Sequence, residues 1–459
     1  MASQSPGVFR QYRWKELGLF IIPFLIFLVE MVQLFLATQD TQSSLSVNNL
    51  PTIQGLIPVF GLIGVLLAAN ILFSIFFRKA DQVLFPLVGL LSGLGVLMAT
   101  RLGPDIKIDS LGTQQLVWVM LGIAICCGVM FLMRDTLWLA RYKYTWAVVS
   151  FLVLLPSVIS GLLSIRSGAP TRDILNFGPL HIQPSELLKI SIVIFFAGYL
   201  NETRDVLTEA HLRIGILKLP PLRQLGPLVL MLTLSLIIFL VVRELGLAML
   251  IYGLFLSMTY LANGKLTYVV ASLAVFVLLG FVGYGLFSYV RGRFATVSID
   301  VLHWTQASDE LYQNSALQVV QGLIAVASGG ILGSGLGLGA PSYVPVVESD
   351  MVFTAFCEEL GLAGVFAVIG IYLFIIYRGY RIAIEATEPF NQLLAAGLTT
   401  IFAIQTLIIS AGNLKLMPLT GIPLPFLSYG GSSILANYII IGVLLRISYN
   451  SRVAREGLS

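Results

Sequence analysis

Residues 17–37 read LGLFIIPFLIFLVEMVQLFLA, an apolar run that contains a single charged residue, Glu30. A membrane-spanning helix needs about 20 mostly apolar residues, because the hydrocarbon core of a bilayer is about 30 Å thick. The run is longer than the apolar core of a signal peptide, and no convincing small-residue cleavage site follows it. It therefore predicts a retained transmembrane helix.

Apolar runs of this kind fill the chain of 459 residues, which is 57% hydrophobic and only 11% charged. Soluble proteins carry roughly 25% charged residues. The sequence predicts an all-α polytopic membrane protein of about 12 transmembrane helices. The predicted spans are 17–37, 53–77, 82–100, 114–133, 145–165, 184–200, 225–242, 244–262, 266–287, 351–377, 391–411 and 425–448.

Most of the 27 Lys and Arg residues fall in alternate loops, on the side that also holds both chain ends. Cytoplasmic loops carry an excess of basic residues, so both termini are predicted to be cytoplasmic. The net charge of +4 is small. The basic residues therefore mark topology, and no nucleic-acid partner is expected.

Two segments on the opposite side are unusual: 166–183 and the long stretch 288–350. Connections longer than about 15 residues are commonly functional or disordered. The stretch 288–350 is apolar and rich in small residues, which predicts a long, ordered extracytoplasmic loop, partly helical, at the membrane surface.

Ionisable residues inside a membrane are costly and often mark function. The segment QPSELLK (183–189) places Glu186 and Lys189 three residues apart, on one face of a helix that begins near Pro184. A surface ion pair worth a few tenths of a kcal/mol is the alternative to a cavity role. Arg243 and Glu244, at the end of a span, form either a hydrated turn or part of a cavity.

Four carboxylates occur between residues 348 and 359: Glu348, Asp350, Glu358 and Glu359. An acidic residue at a helix N-terminus is stabilised by the helix dipole, which is the alternative role for Asp350. Four carboxylates at a membrane boundary nevertheless exceed what capping requires.

The segment MPLTGIPLPFLSYGGSS (417–433) interrupts an apolar region with three prolines. Irregular backbone at membrane depth persists only where protein buries it or where it lines a cavity. The glycine-rich SGGILGSGLGLG (328–339) has no preceding strand and no Gly-Lys-Ser/Thr, so it favours close backbone packing or a turn over a phosphate loop.

These segments, in this order, resemble the SEDS family of shape, elongation, division and sporulation proteins. The matching motifs are QPSELLK (183–189), YQNSALQVVQGLIAVASGGILGSGLGLG (312–339), DMVFTAFCEELGLAG (350–364) and PLTGIPLPFLSYGGSSILANYIIIGVLLRIS (418–448). The resemblance implies a SEDS-like core at 81–450 that includes the loop 288–350. Residues 1–80 would form a tail and two extra helices, and 451–459 a cytoplasmic tail.

The resemblance implies a peptidoglycan glycosyltransferase of the bacterial cytoplasmic (inner) membrane. Its substrate would be lipid II, an undecaprenyl-pyrophosphate-linked disaccharide peptide, polymerised on the outer face. Its partners would be membrane lipids and a class B penicillin-binding protein acting as transpeptidase. It leaves elongation, division and sporulation roles open.

The motif match places the essential acid on Asp350, as a general base for the acceptor hydroxyl. The same match places the family's cavity residues on Glu186, Lys189 and Glu244. Further candidate substrate-binding residues in this sequence are Arg243, Arg291, Arg293 and Gln313. Arg291, Arg293, Lys189 and Arg243 are the candidates for neutralising the departing pyrophosphate. A divalent ion, Mg²⁺ or Mn²⁺, is a candidate cofactor for the same step, with no metal ligands identified.

The sequence departs from the family pattern at Asp173–Ile174, Arg243–Glu244 and Glu348–Ser349. Two rival functions remain: a flippase or transporter of a polyprenyl-linked sugar, and a non-catalytic scaffold for a penicillin-binding protein. Broken helices and embedded charges are common in transporters. Against a transporter, the polar clusters gather on the outward side of the predicted spans and away from the midplane.

Overall fold

A computed structural model describes residues 12–39, 53–167, 175–177, 180–208, 212–214, 217–219, 244–286, 288–299, 301 and 310–457. The predicted span 225–242, Arg243 and the pair Asp173–Ile174 lie outside these residues.

The described chain is almost entirely helical, which confirms the predicted all-α polytopic fold. The helices are α1 (Trp14–Gln39), α2 (Ile53–Phe76), α3 (Leu84–Asp105), α4 (Leu111–Leu132), α5 (Leu137–Arg141), α6 (Lys143–Ser167), α7 (Pro184–Thr208), α8 (Leu245–Asn263), α9 (Leu266–Leu286), α10 (Ser288–Ala295), α11 (Glu310–Gly329), α12 (Val352–Glu385), α13 (Pro389–Asn413) and α14 (Gly431–Gly457).

Short strands and 3-10 turns complete the described elements. Strands β1 (Leu175–Phe177) and β2 (Leu180–Ile182) form one antiparallel pair, and β3 (Leu212–Ile214) and β4 (Leu217–Leu219) form another. The 3-10 turns are Thr296–Ser298 and Pro341–Tyr343.

Every predicted span except 225–242 overlaps one of the helices. By length and composition, nine of the described helices can cross a membrane, or ten if the bent pair Ser272–Leu286 and Val290–Ser298 forms one span. The total of about twelve stays a prediction, as do the surface position of 288–350 and the division at residues 80 and 450.

The described residues form two compact units. The first unit comprises 1–134, 324–387 and 424–459. Helix α3 is its most buried span, with 89% of the residues in its apolar stretch buried. Its glycines allow close approach: a Cβ on Gly95 would lie 2.6 Å from the carbonyl oxygen of Phe426. Three residues before Gly95, the hydroxyl of Ser92 forms a hydrogen bond of 2.8 Å with the hydroxyl of Tyr438 of α14.

The second unit comprises 135–323 and 388–423. Helix α7 is buried on almost all sides between residues 184 and 200, where Leu187 is the exception. It contacts α6, α8 and α13. Gly397 of α13 permits a close approach, since a Cβ there would lie 2.7 Å from the side chain of Val193.

Helix α12 is broken at Gly361, which has φ 66° and ψ −171°. The break leaves the carbonyl oxygens of Glu358 and Glu359 free to accept the amides of Ser334 and Gly335, at 2.9 and 3.0 Å. On the other side of the break, the amide of Leu362 donates to a carbonyl of the same glycine-rich loop at 3.0 Å. The segment 328–339 is thus packed closely by backbone against α12, as predicted.

Replacement of Gly361 by Ala tests this docking. The φ and ψ of Gly361 lie in a region that essentially only glycine adopts, at a cost of roughly 1–3 kcal/mol for another residue. The new Cβ would also lie 2.2 Å from the Gly333 nitrogen. We expect a clear drop in the Tm of the detergent-purified protein.

The matched control is Gly370→Ala in the same helix, where no atom lies within 4 Å of the added Cβ. Its Tm should stay level or rise, because Ala favours a helix over Gly by about 1 kcal/mol. Equal Tm values for the two variants would contradict the docking role of Gly361.

The loop between α2 and α3 holds a buried carboxylate, Asp81, that several elements share. Its Oδ1 accepts the amides of Val83 and Leu84, each at 2.9 Å. Arg378 of α12 forms an ion pair with it, and Arg13, just before α1, donates to its backbone oxygen at 2.5 Å. Asp81 therefore links three segments of the first unit.

The environment of Asp81 lowers its pKa. Burial disfavours the charged form, but the hydrogen bond and charge of Arg378, together with two backbone amides, outweigh burial and hold the pKa below its ordinary value. The charged form therefore stabilises the folded state.

Acidification should remove this stabilisation. It is complete above the unfolded pKa of about 3.9 and is lost as the pH falls through the lower folded pKa. Asp81→Asn should lower the Tm at pH 7, and the difference from wild type should shrink as the pH falls below about 4. The exposed Asp109→Asn is the control, with little change at any pH. If the Tm of Asp81→Asn fell below that of wild type by the same amount at every pH, the stabilising role of the Asp81 charge would be contradicted.

Candidate functional site

Asp350 lies in the first unit, in the turn that leads into α12. Its side chain is half-buried, and Ser349 donates a long hydrogen bond to its Oδ1 at 3.3 Å. The N-cap residue of α12 is Met351, which makes no side-chain capping bond. Asp350 thus lies one residue outside the position from which a carboxylate caps a helix.

The residues before Asp350 are held by the segment that follows the prolines. Ser428 donates from its hydroxyl to the carbonyl of Ser349 at 2.6 Å, and the amide of Tyr429 donates to the carbonyl of Glu348 at 2.8 Å. The motifs at 350–364 and 418–448 therefore meet beside Asp350. This contact fixes the backbone that presents its carboxylate.

Both of these segments contain a strained residue. Val346 and Phe426 have φ of 56° and 67°, a region that residues other than glycine rarely adopt. Such strain persists only where surrounding contacts enforce it, and it concentrates at functional sites. Its presence on both segments shows that surrounding contacts hold the backbone on either side of this contact.

Two of the other carboxylates are structural anchors. Glu358 Oε1 accepts the amide of Ala340 at 2.8 Å. Glu359 Oε1 accepts from Arg101 Nε of α3 at 3.1 Å, and the same guanidinium donates to the carbonyl of Gly339 at 2.9 Å. Together they attach the end of the glycine-rich loop to α12 and α3.

In the second unit, Glu186 and Lys189 form a salt bridge with 2.7 Å between Oε2 and Nζ. Their side chains are only 4% and 2% exposed. The alternative of a surface ion pair is therefore wrong. Taking two charges out of polar solvent is expensive, so their mutual neutralisation is a condition for burying this face of α7.

A hydrogen-bond chain leads from this pair to the proline-rich segment. Lys189 Nζ donates to Gln405 Oε1 of α13 at 3.2 Å, and Gln405 Nε2 donates to the carbonyl of Pro423 at 3.0 Å. The buried charges thereby help to position residues 418–423.

Glu244 and its neighbour Gly246 lie at the start of α8, with Glu244 at the N-cap position and half-buried. A Cβ on Gly246 would lie 2.6 Å from Ile422 and 2.7 Å from Thr420. Only glycine allows α8 to begin so close to residues 420–422.

The remaining predicted binding residues also fall in the second unit. Arg293 donates to the carbonyl of Leu419 at 3.0 Å, and Arg291 is exposed on the same helix, α10. Neither has a carboxylate within salt-bridge distance among the described residues. Gln313 belongs to α11, but its side chain is not among those that the structure describes.

Three supporting residues were not predicted from the sequence: Arg101, Gln405 and Lys415. Lys415 donates to the carbonyl of Ile299, which lies in the segment 288–350, at 2.5 Å. Arg101 and Gln405 each stand within an apolar run. For Gln405 the available signal was its place as a polar residue inside the predicted span 391–411, since such residues need partners inside the protein; Arg101 directly follows the predicted span 82–100.

The described residues contain no group of three or more His, Cys, Asp or Glu side chains arranged to hold a metal ion. The protein therefore offers no complete set of metal ligands in this part of the chain. The divalent ion stays a prediction, and no chemical step is assigned to it.

The helices and the buried charged pairs define a polytopic membrane protein. The family model of the FtsW, RodA and SpoVE cell cycle proteins matches residues 81–453. The chain belongs to this family, which is the SEDS family that its motifs predicted.

Curated relatives cover most of the chain. The peptidoglycan glycosyltransferase RodA of Mycobacterium tuberculosis (strain H37Rv) is 36% identical over 393 residues, 84% of this chain and 81% of its own length. The stage V sporulation protein E of Bacillus subtilis (strain 168) is 30% identical over 384 residues, 81% of this chain and 98% of its own.

Solved structures share the fold. A chain from a study of how a peptidoglycan synthase complex coordinates polymerization and crosslinking has a TM-score of 0.61 at 22% identity, covering 81% of this chain and 98% of its own. The rod shape determining protein RodA of Thermus thermophilus has a TM-score of 0.55 at 21% identity, covering 80% and 96%. The membership and the fold place this chain among multi-pass inner-membrane proteins.

The buried pair can be tested by removing one partner. Lys189→Met leaves Glu186 buried without its counter-charge, and breaking a buried pair in this way costs about 3–5 kcal/mol. We expect a low yield and a strongly lowered Tm. The double variant Glu186→Gln/Lys189→Met should recover most of the Tm.

An exposed pair provides the control. Lys79 and Glu456 are 41% and 61% exposed, so Lys79→Gln should leave the Tm near wild type. If Lys189→Met were as stable as Lys79→Gln, the pair would not be essential to the packing of α7.

Proposed function

We propose that this protein polymerises lipid II into peptidoglycan glycan strands on the outer face of the bacterial cytoplasmic membrane. The activity class is peptidoglycan glycosyltransferase, for which its mycobacterial relative, 36% identical, is named. The observation that carries the assignment of the reacting residue is the placement of Asp350. It is a half-buried carboxylate at the start of a spanning helix, and Ser428 and Tyr429 hold the backbone just before it.

In this proposal Asp350 is the general base. It takes the proton from the 4-hydroxyl of the acceptor sugar while that oxygen forms a bond to the anomeric carbon of the donor. The bond from that carbon to the pyrophosphate breaks, and the lipid pyrophosphate leaves. Attack opposite the leaving group inverts the anomeric carbon and gives a β-1,4 linkage. General-base catalysis contributes typically 10²–10⁴ in rate.

Asp350 is better placed for this role than Glu358 or Glu359. Glu358 and Glu359 are engaged with Ala340 and Arg101. A half-buried acid at the end of a span suits a substrate whose sugars are in water and whose tail is in lipid. The ordered hydrogen bonds at 348–349 would keep the carboxylate from reorganising during reaction.

The departing pyrophosphate needs positive charge. Arg291 and Arg293 are the proposed source, because neither is neutralised by a carboxylate among the described residues. Lys189 is less suited, since its charge is already balanced by Glu186 at 2.7 Å. Glu186, Glu244, Arg243 and Gln313 are retained as proposed substrate-binding residues.

The protein is proposed to act with a class B penicillin-binding protein that cross-links the new strands. The fold neighbour from a synthase complex that couples polymerization and crosslinking supports this partner class. Both termini are proposed to be cytoplasmic, since the basic loops follow the charge rule for membrane orientation.

The base assignment is tested with Asp350→Asn, purified with a co-expressed class B penicillin-binding protein and supplied with labelled lipid II. We expect the variant to keep the wild-type Tm and to lose roughly 10²–10⁴ of the polymerisation rate. Glycan length would be followed on gels.

The control is Glu348→Gln, which removes a neighbouring half-buried carboxylate. It should polymerise close to wild type. Polymerisation by Asp350→Asn at the wild-type rate would show that another group is the base. Complementation of a strain lacking the gene by Asp350→Asn would instead favour the scaffold role.

A further inference from the structure

A cavity of about 490 Å³ opens at the end of the first unit where α1 begins, and the proposed reaction does not use it. Its volume is in the range of about 300–1,000 Å³ typical of small-molecule sites. Its lining comprises Tyr12, Trp14, Lys15, Gln82, Val83, Arg378 and Arg452.

The lining contains three cations, Lys15, Arg378 and Arg452, and no acid. The surrounding charges do not balance them. Asp81 behind the cavity is shared by Arg378 and by Arg452, the latter at 3.8 Å. Lys15 has no salt-bridge partner among the described residues.

A second sign of a missing partner lies in Arg378 itself. Its Nε is buried and has no hydrogen-bond acceptor in the described part of the chain. The neighbouring pair Arg13 and Glu16 is neutral as a whole. The cavity therefore retains excess positive charge, and an anion with several acceptor oxygens would neutralise it.

The surface next to the cavity identifies the source of that anion. Leu19, Ile22, Leu25 and Val29 follow Lys15 at helical spacing along α1 and are 40%, 64%, 57% and 64% exposed. Acyl chains can lie along this stripe while a head group reaches the cavity. Trp14 and Tyr12 at its rim are the residue types that favour the level of the lipid head groups.

We propose that this cavity binds the phosphate of an anionic phospholipid, with Lys15, Arg378 and Arg452 as its ligands and the α1 stripe as the surface for its tails. Basic pockets between spanning helices on the cytoplasmic side are suited to anionic head groups. Tyr12, Trp14 and Lys15 precede residue 81, where the family match begins. The site is thus partly built by a segment that the family model does not include.

The bound lipid would neutralise charge in a cavity to which α1, α12 and α14 each contribute lining residues. It would thereby hold α1 against the part of the chain that matches the family. The proposal is independent of the glycosyltransferase assignment, because its test measures lipid binding alone.

The test compares lipid retention by the full-length protein in native mass spectrometry from a zwitterionic detergent. Wild type should retain phosphatidylglycerol and not phosphatidylcholine. One Lys or Arg near a membrane surface contributes about fivefold to the binding of an anionic lipid, so Lys15→Gln/Arg452→Gln should weaken retention roughly 25-fold. Equal retention of the two lipids by wild type would overturn the proposal.

The matched control is Arg455→Gln, which removes an exposed cation three residues further along α14 and outside the cavity lining. It should retain phosphatidylglycerol as wild type does. A loss of retention equal to that of the double variant would overturn the assignment of the site. Lys15→Gln alone changes an exposed position, so it should leave the Tm unchanged and show that any loss of binding is not due to unfolding. It should weaken phosphatidylglycerol retention about fivefold.

A competition arm separates a lipid from a soluble anion. Short-chain phosphatidylglycerol should displace the bound lipid, and inorganic phosphate at the same concentration should not. Displacement by inorganic phosphate to the same extent would overturn the lipid assignment and identify a site for a free phosphate.

Discussion

Lipid offers no hydrogen-bond partners, so the protein itself must satisfy every polar group that the chain carries into the membrane. The segment 417–430 shows this constraint clearly, because it contains three prolines and no helix, so its carbonyls need partners from elsewhere. Side chains from elsewhere meet the need. The donors are Arg293 to Leu419, Gln405 to Pro423, Tyr372 to Pro425 and Gln115 to Ser428.

The same constraint explains the buried charges. Lys189 can donate to Gln405 from within the second unit only because Glu186 neutralises it. In the first unit, Arg101 is paired with Glu359 while it holds the carbonyl of Gly339. These charges orient irregular backbone, and that backbone in turn holds the functional segments. Asp350 differs from them in being half-buried, which suits the general-base role proposed for it.

Some of this organisation could be predicted from the sequence. The apolar runs placed the helices, since length and composition are sufficient for a span. The prolines at 418–425 predicted a broken segment, and spacing put Glu186 and Lys189 on one face. Their burial could not be predicted, because the sequence spacing of an ion pair three residues apart is the same at a surface and in a core. Arg101 and Gln405 escaped notice because their partners, Glu359 and Pro423, lie at sequence distances that no local pattern encodes.

The sequence by itself determined that this protein is a membrane-embedded bundle of helices, that it belongs to the SEDS family, and which acid opens the motif at 350. These follow from apolar length and from motif order, which are local properties of the chain. Only the tertiary structure decided which polar groups are satisfied by which partners. It brought Ser428 and Tyr429 against residues 348–349 and assembled Lys15, Arg378 and Arg452 around one cavity. Such contacts depend on helix packing, which brings together residues far apart in the chain.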